Sequence, residues 1–341
     1  MSFTHSRMSV FRVAIGALLA SFVCSVLAQP NGEGADAVRN ALGKQEGDVD
    51  QSDLLKETLT SKDKQYSLLK RGKVAATYDM TYTYIGQQQI DAQFDSSTSQ
   101  LTLFKIDNTR SHTFTHTISV DYGLLNNLTG NVSASLVDRY SESTSFSGLS
   151  HSLGDMTFGA RWQPFELERD APTITASGTV RLPTGRSPYR TDATKNLATG
   201  SGTTAFTGGL NFSKVLDPVA LFGSANFTYS LDASHLNQYR GGKTLTTVKP
   251  GPSFGYGIGF AYALSYDISV NFALQHSISW ASTLRFDDGS KYKTGLQNSA
   301  MLNYGMGIRF SPTFTLNVTL GAGLTSDSPD FTLGVNMPLN F

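Results

Sequence analysis

The sequence predicts an all-β fold: a closed antiparallel transmembrane barrel of about twelve strands, preceded by a short periplasmic segment that is helical or disordered. Three observations carry the prediction. An export leader opens the chain, period-two strands of membrane-crossing length fill residues 74–341, and short connections alternate with long polar ones.

The leader occupies residues 1–28. His5, Arg7 and Arg12 make a positive start, "VAIGALLASFV" is an apolar core of signal-peptide length, and Ala28 offers a small residue for cleavage. A lipoprotein reading fails because Val23 stands before Cys24, where a small residue is wanted. Cys24 is the single cysteine, so cleavage removes every route to a disulfide, a thiol nucleophile or a cysteine metal site. The 27 basic and 27 acidic residues balance, which gives no pull toward nucleic acid. After the leader no apolar run reaches the length of a membrane helix, so a helical membrane protein is excluded.

Residues 29–73 differ in character from the remainder of the mature chain. "NGEGADAVRNALGKQEGDVDQSD" is polar and weakly patterned. Ser52 then caps a short predicted helix with Leu54, Leu55 and Leu59 on one side, and Tyr66, Leu68 and Leu69 add a second apolar cluster. Heptads do not persist, so this segment reads as a tether, a plug or an oligomerisation arm.

From residue 74 the period becomes two. In "VAATYDMTYTYI" the even positions Val74 to Tyr84 face one way, and Ala75, Thr77, Asp79, Thr81 and Thr83 the other. "SHTFTHTISVD" sets Phe114, Ile118 and Val120 against Thr113, Thr115, Thr117 and Ser119. "DISVNFALQHSISW" and "TFTLNVTLGAGL" repeat the device, as does the closing "FTLGVNMPLNF". Strands are expected near 74–85, 110–121, 129–140, 154–163, 172–182 and 203–214. Six more are expected near 219–231, 252–263, 267–280, 297–310, 313–324 and 331–341. Most are twice the length of ordinary soluble strands and long enough to cross a bilayer at a tilt.

"YGLLNN", "PFELERD", "VLDP", "LSYD" and "SP" form the short set of connections. The long polar set is 86–109, 141–153, 183–202, 232–251 and 281–296, with "TSDSPD" a short last member. Short periplasmic turns and longer outer loops are the outer-membrane arrangement. Tyr84, Trp162, Tyr229, Tyr262, Trp280, Phe310 and Phe341 fall near strand ends, where aromatic rings suit the membrane boundary. An aqueous sandwich could show the same alternation; strand length, loop alternation, the leader and the final Phe341 together favour lipid. Phe341 also reads as an assembly signal.

The stretch "SLGDMTFGARWQPF" resembles a strand and turn of a family of outer-membrane proteins labelled as transporters or as a meta-pathway of phenol degradation. "RLPTGR" and "LATGSGTTAFTGGLNFSKVL" resemble its next recurring block, so the likeness covers roughly 150–341. "SKDKQYSLLKRGKVAATYDMTYTY" is similar to the leading segment of functional-amyloid secretion channels, barrels whose N-terminal segment plugs the pore and can trimerise. The long coiled coil of those channels is missing or shortened here. The resemblance implies a transporter barrel, with a homotrimer and a secreted peptide among its partners.

No constellation for chemistry emerges. His112 and His116 lie about 13 Å apart on a strand, too far for one ion. No outward His has an outward Ser two positions away, as a lipid hydrolase of this architecture needs. Ser150, His151 and Ser152 share a loop without a fixed third member. "GYGIGF" lacks the strand-to-helix turn of a nucleotide site. No catalytic residue, metal or cofactor is therefore expected. The expected lumen charges are Asp79, Arg139, Arg161, Arg181 and Arg309, with Asp121 and Asp155 near strand ends. They would select anionic or polar solutes, or hold a plug through Asp53 or Glu57. Gly255, Gly257 and Gly259, then Gly305 and Gly307, then Gly321 and Gly323 line a groove on the polar face; it is open water, the seat of residues 54–69, or a device for curvature. The expected function is passive or gated passage of solute across the outer membrane. Export of an unfolded polypeptide past a plug, or a closed structural or lipid-modifying barrel, are the alternatives. Expected partners are membrane lipid, lipopolysaccharide and the barrel assembly machinery, with no nucleic acid.

Overall fold

A computed structural model describes residues 68–94, 101–142, 147–165, 171–190, 197–216, 218–240, 243–311 and 314–339. The leader, Leu54, Leu55, Leu59, Tyr66 and Phe341 lie outside the described residues, as do Asp53 and Glu57.

Twelve strands of the described residues form the wall. They are β1 (Val74–Phe94), β2 (Leu101–Leu125), β3 (Leu128–Glu142), a broken strand made of β4 (Ser147–Leu153) and β5 (Met156–Trp162), β6 (Thr173–Leu182), β7 (Ala205–Leu216), β8 (Val219–Ser230), β11 (Ser253–Ala263), β12 (Ile268–Ser279), β15 (Gln297–Ser311), β16 (Phe314–Gly323) and β17 (Phe331–Leu339). Each pairs antiparallel with its wall neighbours. β1 pairs with β2 on one side and with β17 on the other, from Ala76↔Leu339 to Tyr84↔Phe331, and this closes the ring. Closure leaves no edge at membrane depth, so backbone groups are satisfied without water.

The wall is turned inside out relative to a soluble domain. On β7, Leu210 is 60% exposed while its neighbour Asn211 is 4% exposed. Ile258, Phe114, Val132 and Leu320 are likewise exposed, and Asn271, Thr175, Asn317 and Ser269 are buried. Apolar side chains therefore point out of the ring and small polar ones point in. Trp162, Tyr229, Tyr262, Trp280 and Phe310 are exposed, which fits the boundary belt expected of them.

Some polar residues also face outward, with bonded partners. His116 Nδ1 lies 2.7 Å from Tyr78 Oη, and His112 Nδ1 lies 2.9 Å from Tyr82 Oη, both diagonally across β1 and β2. Asp138 contacts His151 across β3 and β4.

The long loops need correction. Residues 86–109 are read from sequence as a loop, yet β1 and β2 stay paired as far as Phe94 and Leu101. Within 141–153, Ser147–Leu153 extends the wall beside β3. Residues 232–251 and 281–296 contribute β9 (Gln238–Arg240), β10 (Lys243–Lys249), β13 (Thr283–Phe286) and β14 (Lys291–Lys293), a separate four-stranded sheet in the order β14-β13-β10-β9. It has its own core, with Leu245 and Val248 fully buried beside Ala233 and Leu236 and with Tyr189, Leu284 and Phe286 packed against them. Polarity marks these stretches as wet, and wetness does not preclude pairing. A register shift between Leu245 and Thr247 also breaks the period, setting the two core residues three apart instead of two.

Candidate functional site

Inside the ring, the polar faces of seven neighbouring strands, β8-β11-β12-β15-β16-β17-β1, surround a cavity of about 350 Å³. Its lining is mainly polar, with Phe222, Ile258, Ala273 and Val335 as the apolar members. Asn226, Gln275, Asn303 and Asn336 supply carboxamides, Thr81, Ser224, Thr319 and Thr332 supply hydroxyls, and Asp79 is the one carboxylate. Alternation on each strand delivers these side chains, since every second residue must face the lumen. Asn303 Nδ2 donates to Gln275 Oε1 at 3.2 Å, and Asn336 Nδ2 donates to Asp79 Oδ1. Polar groups are thus bridged in pairs across adjoining strands, and Asp79 is fixed by β17.

The predicted glycine groove is filled at several points by neighbouring side chains. A Cβ at Gly259 would come within 2.5 Å of the Phe222 ring, and one at Gly305 within 2.5 Å of Asn271 Oδ1. Glycine there lets the partner side chain lie flat across the strand. Gly255 and Gly321 similarly sit under Asn226 and Asn303, while Gly323 meets the backbone of Pro329. Gly257 borders the cavity, and Gly307 pairs with Ser269 and Asn317.

The charges predicted for the lumen sort by depth. Near the short-turn rim, Arg161 donates to Asp121 Oδ1 at 2.8 Å, and Asn131 Nδ2 donates to the same oxygen at 2.6 Å. Both ionic side chains are buried. Sequence places Arg161 and Asp121 in the lumen without joining them; they are 40 residues apart, and β3 stands between their strands. Arg309 lies with its guanidinium carbon 5.2 Å from the Tyr266 ring centre. At the opposite end Arg181 approaches Asp155 at 3.8 Å, with its side chain 44% exposed. Arg139 donates to Ser111 Oγ at 3.3 Å and to Ala198 O at 3.4 Å.

Asp155 organises that end. Its carboxylate accepts from Gly185 N at 3.1 Å, Ser201 N at 2.8 Å and Ser201 Oγ at 2.5 Å. Thr184 Oγ1 donates to Gly154 O, and Thr199 Oγ1 to Leu153 O. The connection between β6 and β7 is thereby tied to the break between β4 and β5. No signal in the sequence singles out Ser201 or Thr199, because a Gly/Ser/Thr-rich loop carries no periodicity.

At the short-turn rim the chain approaches β1 from the lumen side. Leu69 N donates to Thr129 Oγ1 at 3.1 Å, and Gly72 N donates to Gly123 O at 2.8 Å. A Cβ on Gly123 would stand 2.2 Å from Lys70 O. Thr129 and Gly123 both belong to the inward-facing set, so residues 69–70 lie against the inner wall. Of the plug residues expected from sequence, Leu68 and Leu69 fall here.

Comparison with known proteins adds the family. Residues 85–341 match the family described as "Putative MetA-pathway of phenol degradation". The chain belongs to this family. Among solved structures it is similar to the COG4313 outer membrane channel from Pseudomonas putida F1, at 17% identity over 81% of this chain and 98% of that one, with a TM-score of 0.58. The translocator domain of the autotransporter NalP from Neisseria meningitidis aligns at 10% identity over 90% and 98%, with a TM-score of 0.46. The TodX monoaromatic hydrocarbon channel, in a deltaS2S3 mutant form, aligns at 10% over 80% and 91%, with a TM-score of 0.45. The first of these likenesses speaks to the fold, which is that of an outer-membrane β-barrel.

Proposed function

We propose that this family member is an outer-membrane channel that passes small polar solutes without a catalytic step, gated by the segment before β1. The observation that carries the reading is the closed ring around an amide- and hydroxyl-lined cavity of about 350 Å³. Such a lining exchanges hydrogen bonds with a neutral, hydroxylated solute, and its one carboxylate gives anions no counter-charge. The volume falls at the lower end of the range typical of small-molecule sites. The gate reading is supported by the position of residues 69–70 on the inner wall. The leader at residues 1–28 fits export to this membrane.

The test is planar-bilayer recording of the full mature protein beside a form lacking residues 29–67. The expected result is a narrow conductance that rises several-fold on deletion. Liposome swelling should then follow neutral sugars in preference to anions of equal size. Silence in both forms would point to a closed structural barrel and end the channel reading; equal conductance in both would end the gate.

A further inference from the structure

We propose that Arg139 and Arg186 form a binding site for a phosphate group on the lumen side of the long-loop end. The bound anion holds the connection between β6 and β7 against the wall. Arg139 stands at a lumen position of β3, half-buried, and its Nε donates to the buried Ser111 on β2. Register sets Ser150 of β4 directly opposite Arg139, and Arg186 Nη1 donates to Ser150 Oγ at 3.3 Å. A second link joins the same two arginines. Arg139 Nη1 donates to Ala198 O, while Thr199 N and Gly200 N donate to Arg186 O at 3.2 and 3.1 Å. One guanidinium from the wall and one from the connection therefore meet beside a buried hydroxyl.

No carboxylate among the described residues forms an ion pair with either of them. The acids of β3, Asp138 and Glu142, stand at even positions on the outward face, where Asp138 contacts His151. Asp155 is committed to Gly185 N, to Ser201 and, at 3.8 Å, to Arg181. The oxygens that Arg139 and Arg186 do reach are neutral and lie at 3.3–3.4 Å, beyond the about 2.7–2.9 Å of a charge-assisted bond. Neighbouring cations confined in this way are unfavourable until a counter-charge joins them.

The donors define the counter-charge. Most guanidinium N–H groups of both arginines are unspent among the described residues, and Ser111 and Ser150 each keep a hydroxyl proton to give. These donors come from two strands and from the connection above them. A tetrahedral oxyanion offers acceptors in all those directions, whereas a carboxylate offers its own in one plane. Arg186 is exposed, so the site opens to the water of the lumen. An anion there bonds the connection to β3 and β4 at once.

The experiment titrates the full mature protein in detergent micelles with sodium phosphate at fixed ionic strength and reads the heat of binding. Saturable binding is expected. Arg139→Gln with Arg186→Gln should weaken it by about tenfold or more, while the band still shifts on boiling as a closed barrel does. Acetate should bind the wild type more weakly than phosphate. Phosphate should also slow protease cleavage within residues 184–201 in the wild type and leave the variant unprotected. Glucose 6-phosphate separates the sources: binding as tight as that of inorganic phosphate assigns the site to a phosphate carried by a solute, and weaker binding to the free ion. A control pair of cations elsewhere at this end, Lys249→Gln with Lys293→Gln, should change nothing; an equal loss there reduces the effect to general attraction and overturns the proposal. Absence of saturable binding overturns it too, as does binding that emerges only in Asp192→Asn, which would mean that the chain fills the site itself. Should the double variant fail to close, Arg186→Gln alone is read by the same criteria. These readouts are equilibrium ones and stand whether or not the barrel conducts.

Discussion

Arg161 sits on the lumen face of β5 with 7% exposure, its Nη2 atom 2.8 Å from Asp121 Oδ1. Two charges at that depth are held by each other and by Asn131, which shares the same oxygen. Losing one partner leaves the other buried and uncompensated, which costs about 3–5 kcal/mol. Arg161→Ala should therefore lower unfolding stability in lipid vesicles by that order, read as an earlier urea midpoint. Replacing the pair together, with Arg161→Met and Asp121→Leu, should recover most of it, since a matched apolar pair is often as stable. Arg181 is a different case. Its side chain is 44% exposed and 3.8 Å from its acidic neighbour, so it still faces the water of the lumen. Arg181→Ala should move the zero-current potential in a salt gradient toward cation preference. An unchanged potential would remove Arg181 from any role in selectivity.

At the scale of elements, the junction between β4 and β5 is held by side chains where the ladder stops. Asp155 gathers Gly185 and Ser201, and each charge-assisted bond of this kind contributes about 1.5–3 kcal/mol. Asp155→Ala should free the connection between β6 and β7 while sparing the ring. The expected readout is faster protease cleavage within residues 184–201 and noisier current, with a lowered melting temperature and a ring that still closes. The wall strands are legible in the sequence because lipid outside and water inside impose period two on every one of them. β9, β10, β13 and β14 are not legible. Outside the membrane only Leu245 and Val248 need full burial, and the register shift before Thr247 puts them out of phase. The lumen charges are legible as a set, because their strand positions share one parity. Their partners are not: the contact of Arg161 with Asp121 depends on the register of three strands, β2, β3 and β5. Asp155 is visible as a charge near a strand end, and its bond to Ser201 crosses 46 residues of sequence.

For the whole molecule, the decisive question is which solvent meets the outer surface. Leu210 lies mid-strand on β7, 60% exposed, with Asn211 behind it at 4%. If water bathes that surface, Leu210→Arg is an exposed substitution and changes stability by about 0.5 kcal/mol or less. If hydrocarbon bathes it, the guanidinium must leave water for lipid, and the cost near the bilayer midplane is about 2–4 kcal/mol. The two outcomes are separated by more than the error of a folding titration. Leu210→Arg should therefore fold less readily into phosphatidylcholine vesicles by that larger amount. Phe310→Arg, at a strand end, should cost about 0–1 kcal/mol, because the penalty falls toward the interface. A flat response across the two sites would contradict a lipid-facing wall. The graded response arises from one physical fact, that a closed ring satisfies its own backbone and leaves the side chains alone to choose between lipid and water.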